Sequence, residues 1–64
     1  METVTVLTFT KHYSETEKHT DTLTFESMKA ARGWLKIVDN SIKNGWLPYN
    51  RLEINSMVRK SYAN

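Results

Sequence analysis

Residues 27–48 read SMKAARGWLKIVDNSIKNGWLP, and this segment carries both the start and the stop signals of a helix. Ser27 is a residue type that caps helix N-termini, Gly45 suits the left-handed position after a helix, and Pro48 prevents continuation. Apolar side chains recur between them at steps of three and four residues: Met28, Ala31, Leu35, Val38 and Ile42, with Trp34 at the edge of the stripe. The pattern predicts a helix over residues 28–44 with one buried face.

Segments on both sides of this helix have the composition of β-strands. Residues 3–13 and 19–25 are rich in threonine, valine and aromatic side chains, and the polar residues 14–18 between them are typical of a turn. Residues 50–62 alternate as a third strand, with a bend expected near residues 55–56. Its two sets of side chains are Leu52, Ile54, Val58 and Tyr62 on one side and Arg51, Glu53 and Arg59 on the other.

These elements predict one α+β domain over residues 1–64. A helix of about 17 residues spans about 25 Å, which returns the chain across the sheet and sets the third strand beside the first. The expected architecture is ββαβ: a three-stranded antiparallel sheet in the order 2-1-3, with one amphipathic helix packed on one face. The other face stays open and is either solvated or a binding surface. It is expected to carry the threonines of strand two, Val4 and Val6, and Arg51, Glu53 and Arg59.

The register of the first two strands follows from matching their side chains. The predicted pairs are Leu7 with Phe25, Phe9 with Leu23, Lys11 with Asp21, and Tyr13 with His19, which bring apolar and opposite charges together. The alternation of the first strand changes phase once. Either a bulge lies near residues 6–7, or both faces of the strand are partly covered.

Composition excludes several classes of function. The chain has no cysteine, which removes disulfides and thiolate metal sites. The polar cluster at the hairpin turn (His12, Glu15, Glu17, His19 and Asp21) is typical of a solvated turn, so no metal site is expected. There is no glycine-rich phosphate loop and no nucleophile elbow, and one helix leaves little room for a ligand pocket. We therefore expect no enzyme activity, no cofactor and no small-molecule substrate.

The N-terminal residues lack the basic and then apolar pattern of a secretory signal. No apolar run approaches the roughly 18 residues that a membrane span needs. The sequence therefore predicts a cytoplasmic protein without a membrane partner.

Marginal size favours a function in protein binding. A domain this small buries only roughly 60% of its unfolded surface, and a partner chain is one way to compensate. The first hypothesis is a non-enzymatic binding module or modulator that occludes a macromolecular partner, or binds itself as a homodimer. The residues predicted to contact the partner are Ile37, Trp46, Arg51, Glu53, Met57 and Arg59.

Aromatic residues and a glycine near the helix support two smaller expectations. Trp34, Trp46 and Tyr49 are predicted to cluster at one end of the helix, mainly as core. Gly33 weakens the helix by roughly 1 kcal/mol relative to alanine. Either another molecule approaches the helix closely at this position, or the glycine arose by sequence drift and the fold tolerates it.

Nucleic-acid binding is the alternative function. Lys29, Arg32, Lys36 and Lys43 project within about 60° of one another at 100° per residue and form a row that could follow phosphates. The supporting residues are Arg59 and Lys60. The isoelectric point of about 9.1 permits this function, whereas a net charge of +2 does not demand it.

In length and in its lack of cysteine, the chain resembles the short reading frames carried by bacteriophages and plasmids. The resemblance is one of size and style over the whole chain, and no motif supports it. It implies a non-enzymatic modulator that binds a host macromolecule.

Overall fold

The computed structural model describes residues 2–62, with side chains placed from residue 3 to residue 61. The elements follow the order β1 (Glu2–His12), β2 (Lys18–Phe25), α1 (Met28–Lys43) and β3 (Arg51–Tyr62). The strands form one sheet in the order β2-β1-β3, in which β1 is antiparallel to both neighbours. The predicted ββαβ fold, with one helix and a three-stranded antiparallel sheet, is confirmed.

Both ends of α1 have the hydrogen bonds that the sequence predicts. The extended Ser27 accepts a hydrogen bond at its Oγ from the N–H of Ala30, at 3.1 Å. At the other end, the N–H of Gly45 donates to the carbonyl of Ile42 and the N–H of Trp46 donates to that of Ser41, each at 3.0 Å. This pair of bonds is a Schellman motif, and the φ of 71° at Gly45 explains why glycine follows the helix.

The hydrophobic core lies between α1 and the middle of β1. Its buried side chains are Leu7, Phe9, Ala31 and Val38, with Thr5 beside them. Trp34 closes the core towards β2, because its ring centre lies 5.2 Å from that of Phe9 and 5.7 Å from that of Phe25.

The predicted aromatic cluster of Trp34, Trp46 and Tyr49 forms only in part: Trp34 and Tyr49 line one cavity, and Trp46 does not join them. Trp34 precedes the last helical residue by nine positions, about 13 Å along the axis, so the shared cavity lies beside the middle of α1 and not at its end. Tyr49 also packs edge-on against Tyr13, with ring centres 5.7 Å apart. Trp46 is 70% exposed.

The predicted register of the β1–β2 hairpin is wrong by two residues. Leu7 pairs with Leu23, and Thr5 pairs with Phe25. The turn decides this register, because the N–H groups of Tyr13 and Ser14 both donate to the carbonyl of Glu17 and close the hairpin between His12 and Lys18. Two predicted pairs survive as diagonal neighbours: Lys11 with Asp21 at 2.6 Å, and Tyr13 with His19 at 5.2 Å between ring centres.

A bulge at Asn55 of β3 changes which side chains share a face. Thr8 pairs with Ser56 and Phe9 pairs with Ile54, so Asn55 is the extra residue. The predicted bend at this place is therefore present, and the irregularity on β1 lies between Thr8 and Phe9 rather than near residues 6–7.

Beyond the bulge the predicted faces of β3 are exchanged. Val58 pairs with Val6 and lies on the open face of the sheet, not with Leu52 and Ile54. Arg59 pairs with Thr5, which places it on the helix face rather than on the open face. One inserted residue produces this reversal, because side chains alternate with a period of two.

Candidate functional site

An uncovered groove runs between α1 and β3. It has a volume of about 340 Å³ and is lined by Leu35, Val38, Asp39 and Ile42 from α1 and by Asn50, Arg51, Leu52 and Ile54 from the chain around the start of β3. Ile54 belongs to the helix face of the sheet through its pairing with the buried Phe9, yet it is 52% exposed. We call this feature the α1–β3 groove.

The groove stays open because one helix cannot cover the whole sheet. Three strands are about 14 Å wide, whereas a helix with its side chains is about 10 Å wide. On the β2 side, Trp34 fills the space above Phe9 and Phe25. No side chain of comparable size projects from α1 towards β3, where the helix offers Leu35 and Ile42. The apolar floor on that side is therefore left in contact with solvent.

Basic side chains rim the α1–β3 groove. Asp39 lines it, and Arg32, Lys36 and Lys43 project within about 60° of Asp39 around the helix axis, at 100° per residue. All three are exposed, and only Lys43 is neutralised on this flank, through an ion pair with Asp39 at 3.1 Å. On the strand side, Arg51 lines the groove from the start of β3. Arg59 lies on the helix face further along the strand, where it pairs with Thr5 and does not line the groove.

The backbone of β3 adds hydrogen-bonding capacity beside the groove. In the order β2-β1-β3, this 12-residue strand is paired on one side only within the described residues. The outward N–H and C=O groups of such an edge can pair with an added strand. The groove and the edge together form one surface with apolar, cationic and backbone components.

The open face of the sheet has a different character. Its threonine hydroxyls bond to one another across β1 and β2: Thr8 with Thr22 at 3.3 Å and Thr10 with Thr20 at 3.0 Å. Asn55 Nδ2 also donates to Thr10 Oγ1, at 2.9 Å. These polar groups already have partners, and they do not point towards a missing ligand.

A charged cluster lies at the hairpin end of the open face. His12 Nε2 donates to Glu53 Oε1 at 2.9 Å, and a guanidinium nitrogen of Arg51 lies 3.3 Å from the same ring nitrogen. The hydrogen on Nε2 is directed to Glu53, so Arg51 acts mainly through its charge. The hydrogen bond from His12 is the main cause of a lowered pKa at Glu53, followed by the electrostatic effects of His12 and Arg51.

The residues predicted to bind a protein lie in four separate places. Ile37 is 67% exposed on the outer side of α1, and Trp46 is exposed beyond the helix end. Arg51 and Glu53 belong to the cluster with His12, whereas Met57 and Arg59 lie on the helix face of β3. Among these residues, Arg51 lines the α1–β3 groove.

The residues predicted to bind nucleic acid are brought together more closely. Lys29, Arg32, Lys36 and Lys43 are all exposed and project from one flank of α1. Arg59 lies on the helix face of the sheet with them, whereas Lys60 pairs with Val4 on the open face.

Sequence reasoning missed the apolar residues of the groove. Leu35, Ile42, Leu52 and Ile54 were all assigned to the core, because their spacing fits a buried face. The groove could have been predicted by comparing the width of one helix with the width of three strands. The helix is narrower, so part of the apolar sheet surface has to remain uncovered.

Two further searches of the described residues concern other kinds of site. The histidines do not converge on a shared set of acidic groups, and no three potential metal ligands lie together within residues 2–62. In the same part of the chain, no helix has the length and apolar character that a membrane span requires. Comparisons of the chain with protein-family models, curated proteins and solved structures find no match.

Proposed function

We propose that the protein is a small binding module that takes an acidic, partly apolar segment of a protein into the α1–β3 groove. The observation that carries the proposal is the half-exposed Ile54, which lies at an apolar floor rimmed by basic side chains and beside a free strand edge. Apolar contact supplies affinity, the basic rim selects an acidic partner, and the edge of β3 offers main-chain hydrogen bonds.

The shape of the molecule supports a need for a partner. Its radius of gyration is 13.2 Å, whereas a compact chain of this length has a value of about 11 Å. It exposes 4948 Å², compared with about 4,250 Å² for a compact monomer of the same mass. The excess of about 700 Å² is close to the 800 Å² per partner that a standard interface buries. A segment bound over the groove would reduce the exposed surface of the chain to about the value of a compact domain.

Such a module acts by occlusion, in keeping with the function expected from the sequence. The groove contains no paired catalytic groups, and its ionisable residues are exposed at the rim. Binding at this surface would cover a segment of the partner and block its other contacts.

The test compares one groove variant with a matched control. Ile54→Asn removes apolar surface from the groove without adding charge, and Thr24→Asn introduces the same side chain on the open face of β2, away from the groove. A partner captured by chemical cross-linking to the wild-type protein should be retained by Thr24→Asn and reduced severalfold by Ile54→Asn, since burying the exposed half of an isoleucine contributes about 0.8–1.5 kcal/mol. Equal capture by both variants would place the binding site elsewhere.

The row of exposed cations on α1 supports nucleic-acid binding as the second candidate. In that case Lys36→Glu should abolish the retention of duplex DNA or RNA, and retention should fall steeply with salt. Ile54→Asn separates the two functions, because it leaves the cationic row intact. Loss of binding in Lys36→Glu alone would favour nucleic acid, and loss in Ile54→Asn would favour a protein segment.

A further inference from the structure

We propose that the segment that fills the α1–β3 groove is the β2 edge of a second copy of this chain, so that copies associate head to tail. The inference rests on the proposed binding surface and adds the identity of its occupant. It follows from three features of the β2 edge: free backbone groups, an exposed apolar side chain on the correct face, and acidic residues in the segments that adjoin the strand.

β2 is the second free edge of the sheet. It pairs only with β1 within the described residues, and it runs for eight residues, Lys18–Phe25. Leu23 pairs with the buried Leu7 and therefore lies on the helix face, yet it is 38% exposed. Leu23 at the β2 edge is thus the counterpart of Ile54 at the β3 edge.

The segments around the two edges differ in charge, although β2 itself, with Lys18 and Asp21, is neutral. Residues 15–26, which contain the hairpin turn and β2, include four acidic side chains and one lysine. α1 and β3 together include seven basic side chains and two acidic ones. This polarity within one chain attracts the β2 edge of one copy to the β3 edge of another, and it repels two β3 edges from each other.

The geometry of the sheet allows this contact to form with the helices on one side. β2 and β3 are both antiparallel to β1, so they are parallel to each other. A second copy placed beside β3 in the same orientation therefore offers β2 as a parallel fourth strand. Shifting the second copy by two residues along the strand direction sets its Leu23 beside Ile54 and its Phe25 beside Met57 of the first copy. The same shift brings Asp21 of the second copy towards the end of α1 that carries Lys43.

The contact uses different surfaces on the two copies, so each added copy again presents a free β3 edge. Heterologous contacts of this kind extend into open chains or larger rings rather than stopping at a dimer. Association should also weaken with salt, because part of it is electrostatic.

Two variants that each block one edge test this arrangement. Leu23→Lys places a charge at the β2 edge and leaves the groove intact, whereas Ile54→Lys places a charge in the groove and leaves β2 intact. The controls Thr24→Lys and Val58→Lys carry the same change on the open face of the same two strands. Circular dichroism and thermal unfolding verify the fold of each protein before sedimentation velocity is measured over a wide range of concentrations.

The expected result is growth beyond a dimer for the wild-type protein and both controls, and monomers for Leu23→Lys and Ile54→Lys alone. An equimolar mixture of the two blocked variants should double in weight-average mass, because one copy supplies the groove and the other supplies β2. Self-association of either blocked variant, or a mixture that stays monomeric, would overturn the inference.

A wild-type protein that stays monomeric at all concentrations would also overturn it. In that event the cross-linking comparison of Ile54→Asn with Thr24→Asn tests the proposed function separately. Selective loss of a captured partner in Ile54→Asn would retain the groove as a site for another protein. No loss would remove both proposals.

Discussion

Lys11 Nζ lies 2.6 Å from Asp21 Oδ2, although the backbone partner of Asp21 across the hairpin is Phe9 and not Lys11. The ion pair is therefore diagonal, and it links β1 to the outer strand β2 on the helix face. The ring of Tyr49 lies beneath the same ammonium group, 5.9 Å from ring centre to Nζ. This arrangement ties the connection after α1 to the hairpin.

The hydrogen bond to Asp21 is the main cause of a raised pKa at Lys11. In Asp21→Asn we expect the pKa of Lys11 to fall towards its ordinary value, as measured by NMR titration of the lysine side chain. A raised pKa in the folded state stabilises the fold at neutral pH, and this contribution is lost as the pH rises through the folded value. Asp39→Asn, which removes the partner of Lys43, is the control and should leave Lys11 unchanged. An unaltered Lys11 titration in Asp21→Asn would contradict the diagonal pair.

Glu53 should show the opposite dependence on pH. Its pKa is lowered mainly by the hydrogen bond from His12, so the charged carboxylate is favoured in the folded state. The stabilisation it provides is present above the unfolded pKa and is lost as the pH falls through the lower folded value. Urea unfolding of the wild-type protein and Glu53→Gln should therefore differ at neutral pH and converge in acid. Glu26→Gln, just after the end of β2, supplies the control. A difference that persists in acid would argue against this cluster.

Leu7 should be the most sensitive position of the core. It is fully buried, and Leu7→Ala should lower the free energy of unfolding by about 2–5 kcal/mol, through lost burial and the cavity left behind. Ile37→Ala removes a side chain that is 67% exposed and should change the free energy of unfolding by less than about 0.5 kcal/mol. Chemical denaturation measures both. A similar effect of the two substitutions would mean that α1 does not pack on β1 as described.

Replacing each of the two glycines by alanine should change the free energy of unfolding in opposite directions. A Cβ at Gly33 meets no atom within 4 Å, and Gly33→Ala should stabilise the protein by about 1 kcal/mol through helix propensity. Gly45 has a φ of 71°, so Gly45→Ala should destabilise it by about 1 kcal/mol or more, although space is equally available there. Thermal unfolding distinguishes the two shifts. If Gly33→Ala instead weakens the capture of a partner, the result would mean that the partner packs closely against the helix at Gly33.

The helix shows how far local patterns reach in this chain. The cap at Ser27, the left-handed Gly45 and the apolar spacing between them are properties of neighbouring residues, and the structure reproduces the helix they predict. The strand order follows from the same elements, because the length of α1 returns the chain to the free side of β1. Such features need no knowledge of distant contacts.

The candidate site could not be predicted in the same way. Leu52 and Ile54 alternate like core residues, and their pattern is the same whether or not a helix covers them. Their exposure depends on where α1 lies across the sheet, which Trp34 fixes by packing on Phe9 and Phe25. The face of the sheet on which Arg59 lies likewise depends on the bulge at Asn55, which exchanges the two faces of β3 beyond that residue.

The sequence by itself determined the elements, their caps and their order, because these depend on periodicity and on hydrogen bonds between near neighbours. Only the tertiary structure decided the hairpin register, the faces of β3 beyond Asn55 and the opening of the α1–β3 groove. The physical reason is that a shift of one or two residues in strand pairing leaves the local pattern unchanged. Turn geometry and the packing of one narrow helix on a wider sheet select among those shifts, and both arise only once the chain has folded.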